Sequence, residues 1–159
     1  MAATRATAAL DAAGVSYLLH AYDHDPANSN YGAEAVAALG IEADRMFKTL
    51  VVDIGQQHSE LAVAVVPVSC QLSLKQFAQA VGAKRAAMAA PAVVERSTGY
   101  VLGGVSPLGQ KVSLTTVIDE TAQLWETIFV SAGRRGLDVE VSPLALAELA
   151  GARFADIAR

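Results

Sequence analysis

Apolar and polar positions alternate along the chain in short blocks, most of them closed by a glycine. Arg5 to Ala13 reads as a helix stopped by Gly14, Tyr17 to Ala21 as a short strand, and Ala33 to Leu39 as a helix ended by Gly40. Between them, Asp23 to Asn30 is a polar loop whose Asp, Pro and Asn favour turns. Two β-branched apolar runs follow, Lys48 to Ile54 and Glu60 to Val68, and the polar Gly55 to Ser59 between them predicts a hairpin. Ser73 is placed to cap a helix over Leu74 to Val81 that Gly82 ends, and Pro91 opens a short helix through Arg96. Val101 to Gln110, rich in glycine with one proline, predicts a rigid loop or strand edge. Leu114 to Ile118 and Thr127 to Ser131 read as strands, and Ser142 with Pro143 starts a last helix over Leu144 to Ala150. Such irregular alternation predicts an α+β fold: a single domain over residues 1–159 with a mixed, partly closed β-sheet flanked by helices.

Composition narrows the class. With 53% hydrophobic and 18% charged residues the 159-residue chain is too apolar for disorder, and aromatics at 6% leave the core to Ala, Val, Leu and Ile. Cys70 is the only cysteine, so no intrachain disulfide can form, and a reducing cytoplasm fits best. Met1 to Gly14 carries Arg5 and Asp11 and lacks the apolar stretch of a secretion signal. The longest apolar run, Leu61 to Val68, contains Pro67 and falls far short of the ~20 residues of a membrane span. A net charge of −4 argues against strong non-specific attraction to nucleic acid. An RNA substrate would need a local basic face, from Lys84 with Arg85, Lys111, or Arg134 with Arg135, although on charge alone ordinary solvated surface is the better explanation of such pairs.

The usual hydrolytic motifs are missing. Ser106 lies in Gly104 to Leu108 (GVSPL), which has no second glycine and puts proline directly after the serine, so it is no nucleophile elbow. HExxH, CxxC and a Walker-type lysine loop are absent, and no metal or nucleotide cofactor is expected. His20 and His24 are four apart, but the local pattern is strand into loop and a third ligand is not evident. Cys70 reads as an inert, partly buried thiol. Lys48, at the entrance to the apolar Thr49 to Ile54, is either structural or a partly desolvated ammonium able to anchor a phosphate or an oxyanion. The run Ser131 to Asp138 (SAGRRGLD) is either a plain strand-connecting turn or a backbone that lets a substrate approach closely between two polar ends.

Taken together, His20 to Pro26 (HAYDHDP), Phe47 to Leu50 (FKTL), Leu61 to Val65 (LAVAV), Arg96 to Tyr100 (RSTGY), Gly103 to Lys111 (GGVSPLGQK), Gly136 to Asp138 (GLD) and Phe154 to Arg159 (FADIAR) resemble the YbaK-type family of Cys-tRNA(Pro) deacylases. That family is similar to the editing domain inserted in many bacterial prolyl-tRNA synthetases. The resemblance covers essentially the whole chain. It implies a cytoplasmic trans-editing enzyme that takes cysteine off mischarged tRNA(Pro), needs no cofactor, and has prolyl-tRNA synthetase as a partner.

By the same resemblance Lys48 matches the family's essential lysine and Tyr22 its pocket tyrosine, with Asp138 and Ser131 at polar pocket positions. Gly103 and Pro107 match the ends of a GxxxP loop, and Tyr31, Thr49, Arg96, Ser97 and Thr98 fall where the family lines its pocket. Tyr31 stands where phenylalanine is expected, which keeps the aromatic face and adds a hydroxyl. The family chemistry implies that the substrate's own thiol attacks its ester, so the protein positions groups and stabilises charge. Two alternatives stay open: a deacylase for another small residue, such as Ala-tRNA(Pro), using water, and a non-catalytic tRNA- or nucleotide-binding module.

Overall fold

A computed structural model describes residues 3–159. Its helices are α1 (Arg5–Ala13), α2 (Tyr31–Leu39), α3 (Leu74–Val81), α4 (Pro91–Thr98) and α5 (Pro143–Ala150). All five end on a glycine in the left-handed region, so the glycines that punctuate the sequence also punctuate the fold. Thr4, Asn30, Ser73 and Ser142 cap four of the N-termini with side-chain oxygens, and α4 begins on Pro91. The Asn30 cap starts α2 two residues before the sequence pattern does.

The strands are β1 (Tyr17–Ala21), β2 (Phe47–Asp53), β3 (Leu61–Pro67), β4 (Ala87–Met88), β5 (Thr115–Asp119), β6 (Ile128–Arg134), β7 (Leu137–Val141) and β8 (Arg153–Ala155). They form two sheets, an antiparallel one in the order β1-β7-β6 and a mixed one in the order β4-β2-β3-β5-β8. The expected α+β class is the observed one, but the sheet is divided and neither part closes on itself. A lone parallel bridge between Met46 and Phe129 joins the two along a shared seam. Among the described residues, no helix is long and apolar enough to cross a membrane.

The core is aliphatic, as the low aromatic content requires. β3 is covered on both faces: Val63 and Val65 face a cluster with Leu10, Val130, Val139 and Leu146, while Ala62, Ala64 and Val66 face another with Phe77, Val117 and Ile157. That double burial explains why Leu61 to Val68 reads as a continuous apolar run rather than an alternating one.

Candidate functional site

The seam between the sheets is where several of the candidate side chains collect. β2 leaves it carrying Lys48 and Thr49, and β1 delivers Tyr22, whose backbone N–H donates to the Gly136 carbonyl at 2.9 Å. Ser131 and Asp138 are cross-strand partners on β6 and β7, and His20 pairs with Asp138 from β1. β7 alternates strictly: Leu137, Val139 and Val141 enter the core, so Asp138 and Glu140 face the other way.

The result is a cleft of about 360 Å³ lined by Tyr22, Tyr31, Lys48, Thr49, Gly103, Ser131 and Asp138, with Val51, Val68, Met88 and Val94 among its apolar walls. This volume is in the range of small-molecule sites. Gly103 adopts φ +80°, and a Cβ there would lie 2.5 Å from Tyr31 Cδ1, so only glycine lets the loop backbone approach the ring.

Two buried polar atoms in the cleft wall, Thr49 Oγ1 and Asp138 Oδ2, have no hydrogen-bond partner. Unsatisfied groups of this kind are uncommon in folded proteins. Burial holds the Asp138 carboxyl up at about 7, far above the usual carboxylate range. The Tyr22 hydroxyl is pushed up to about 12, first by burial and then by the charge of Asp138, so Tyr22 remains a hydrogen-bond donor at neutral pH.

Four expected pocket residues lie elsewhere. Arg96 is exposed on α4. Ser97 Oγ donates to the Val93 carbonyl at 2.7 Å. Thr98 is buried, with Oγ1 donating to Val94 O at 2.7 Å and accepting from Tyr100 N at 3.1 Å. α4 reaches the cleft through Val94, and the turn beyond it bonds to its own helix. Pro107 is buried against a separate hollow of about 150 Å³ with Leu108, Gln110 and Leu149. These residues shape the Gly103 loop from behind: Thr98 O accepts from Arg5 Nη2 at 3.0 Å and from Lys111 N at 2.9 Å, and the Tyr100 hydroxyl donates to Leu108 O at 2.5 Å.

The histidines are engaged separately. His20 Nε2 lies 3.0 Å from Glu140 Oε1, and His24 Nδ1 lies 2.6 Å from Glu34 Oε1. Among the described residues no three His, Cys, Asp or Glu side chains gather as a metal site. Cys70 is partly buried and outside the cleft lining. The sequence reading missed the apolar wall of Met88 and Val94. The strand over Leu137 to Val141 is not among the expected elements, although its apolar and polar residues alternate as a half-buried strand requires.

Residues 26–149 match the aminoacyl-tRNA editing domain. The chain belongs to that family. A relative from Enterococcus faecalis, named as a candidate Cys-tRNA(Pro)/Cys-tRNA(Cys) deacylase, EbsC, is 41% identical over 137 residues, covering 86% of this chain and 82% of its own. The uncharacterised YwhH of Bacillus subtilis is 26% identical over 115 residues, 72% of this chain and 71% of its own. Two crystal structures share the architecture. A candidate trans-editing enzyme for prolyl tRNA synthetase superposes with a TM-score of 0.79 at 26% identity, over 98% of this chain and 95% of that one. A hypothetical protein superposes with a TM-score of 0.86 at 25% identity, over 98% and 100%. This editing domain is therefore an aminoacyl-tRNA deacylase by family, and the cleft at its seam is the candidate active site.

Proposed function

We propose that residues 1–159 act as one trans-editing domain that removes cysteine from Cys-tRNA(Pro) in the cytoplasm, through attack by the substrate's own thiol. The observation that carries this reading is an apolar cleft with converging polar groups and no cysteine–histidine or serine–histidine pair in its lining. No Cys or His is among its lining residues, and Ser131 Oγ accepts from Gly133 N at 3.2 Å instead of pairing with a base. A substrate that brings its own nucleophile needs only orientation and charge stabilisation.

In the proposed step the cysteine sulfur attacks the ester carbonyl carbon. A C–S bond forms, the C–O bond to the ribose breaks, and the thiol proton ends on the ribose oxygen, releasing a cyclic thiolactone and free tRNA. Lys48 stabilises the developing oxyanion electrostatically, and Tyr22 donates a hydrogen bond beside it. Asp138, titrating at about 7, has the proton affinity that the transfer from sulfur to oxygen requires. Thr49, Ser131, Tyr31 and Gly103 hold the aminoacyl end. The net charge of −4 supports prolyl-tRNA synthetase as the partner that supplies tRNA affinity.

A deacylation panel of Cys-, Ala-, Ser- and Pro-tRNA(Pro) with wild type and Lys48→Ala tests this. Cysteine is cleared, serine with its weaker nucleophile is barely touched, and Lys48→Ala loses about 100-fold or more while keeping its fold. Faster clearance of alanine than of cysteine would replace thiol attack by water attack. Binding of tRNA with no ester cleaved would reduce the protein to a binding module.

A further inference from the structure

The turn between β6 and β7 presents a charged side chain that the reaction above leaves unused. Arg135 Nε donates to the Leu102 carbonyl at 2.7 Å, and its guanidinium lies 4.9 Å over the Tyr31 ring. Leu102 and Tyr31 both line the cleft, so the guanidinium is fixed at its edge from two sides. The backbone is equally fixed: a Cβ on Gly104 would lie 2.7 Å from Arg134 Cα and 3.0 Å from Arg135 N, so loop and turn are in contact. Arg135 is exposed, pairs with no carboxylate among the described residues, and its Nε makes its one side-chain hydrogen bond there. Glu95, the carboxylate bonded to this loop, accepts from Leu102 N at 3.3 Å.

We propose that Arg135 binds the phosphodiester that joins the last nucleotide of the tRNA acceptor end to its neighbour. The inference rests on the reading that the aminoacylated nucleoside occupies the cleft. A nucleoside held there must leave its 5′ phosphate at the mouth, because the rest of the RNA continues outward from that atom. A guanidinium whose terminal nitrogens are free offers two parallel donors to phosphate oxygens. Stacking on Tyr31 and the bond to Leu102 have already restricted its rotamers, so little further freedom is lost on binding. Of the other cations, Arg5, Arg45, Arg85 and Arg153 donate to the carbonyls of Thr98, Thr127, Gly55 and Ala80, and Lys48 lies inside the cleft, whereas among the described residues the exposed Arg96 and Arg134 make no contact with the cleft lining comparable to the Arg135 bond to Leu102 and its stacking on Tyr31. In a protein of net charge −4, phosphate recognition has to be local in this way.

The test compares adenosine with adenosine 5′-monophosphate, by calorimetry at two salt concentrations, on wild type, Arg135→Gln and Arg135→Lys, each checked for fold by circular dichroism. Wild type prefers the monophosphate by about tenfold, more strongly at low salt. Arg135→Gln loses that preference without weakening adenosine, and Arg135→Lys keeps part of it. A preference retained in Arg135→Gln, equal weakening of both ligands, or no binding of the monophosphate by wild type each overturns the proposal; equal weakening would mark Arg135 as a support for Tyr31 alone. Deacylation is read separately. An Arg135-dependent preference in a protein that cleaves no aminoacyl ester supports the phosphate site and removes the editing reading. Where esters are cleaved, Arg135→Gln raises KM for charged tRNA by about tenfold at unchanged kcat, and an unchanged KM overturns the phosphate site while leaving editing intact.

Discussion

Asp138 is 5% exposed, with Oδ2 unpartnered, and its carboxyl titrates at about 7. In the unfolded chain an aspartate ionises near pH 4, so between about pH 4 and 7 the folded protein keeps a proton that the unfolded chain has released. The stability owed to this group is complete below pH 4 and is lost as pH rises through 7. Asp138→Asn removes the buried charge, so at pH 8 the variant gains about 2–4 kcal/mol over wild type, while at pH 4 the two are nearly equal. Urea unfolding at the two pH values measures this, and equal midpoints at pH 8 would show that Asp138 is solvated after all. The same variant loses deacylation, the trade of stability for reactivity expected of a strained site. Lys48 could be singled out from its position before an apolar strand. Ser131 and Asp138 could be named as the polar ends of a glycine-rich run, but such a run describes a turn as readily as a pocket, and for them as for Lys48 the resemblance favoured the pocket.

At the scale of elements, the segment Arg96 to Lys111 works as a unit fastened to α1. Arg5 Nη2 bonds Thr98 O at 3.0 Å, its guanidinium lies 4.9 Å over the Tyr100 ring, and Gly99 has no room for a Cβ beside it. Arg5→Met keeps most of the stem and removes those contacts. It lowers stability by about 1–2 kcal/mol, and it reduces kcat/KM several-fold because Gly103 and Tyr31 are less firmly placed. Chemical unfolding and steady-state kinetics on one preparation check both; a stability loss with unchanged kinetics would free the loop from this role. The limits of α1 and α3 were readable because caps are local, whereas α2 begins two residues before and α4 ends two residues beyond the expected bounds. The two residues of β4 and three of β8 were not readable, since strands that short are defined by their neighbours rather than by their own pattern.

For the whole molecule, the cleft and the bulk of the core are separable. Phe77 on α3 is fully buried in the cluster with Val66, Val117 and Ile157, and it is not part of the cleft wall. Phe77→Ala therefore costs about 3–5 kcal/mol and roughly 10 °C in Tm, with kcat per folded molecule unchanged. Differential scanning calorimetry and activity measured well below the transition test the separation. A fall in kcat matching the fall in Tm would tie the active site to the far face of the sheet. The arginines turned onto backbone carbonyls also make the net charge a poor guide to RNA contact: four of them act as structural donors and one, Arg135, stands at the cleft mouth.

Local chemistry by itself determined the helices with their glycine ends, the hairpin of β2 and β3, the α+β class and the aliphatic core, because caps, turns and hydrophobic periods act over a few residues. Only the tertiary structure decided that Tyr22, Lys48, Ser131 and Asp138 share one cleft, and that Arg96 to Thr98 and Pro107 stay outside it. That outcome depends on the Met46–Phe129 bridge and on the pairing of β1 with β7, contacts between segments far apart in the chain whose register no local pattern encodes.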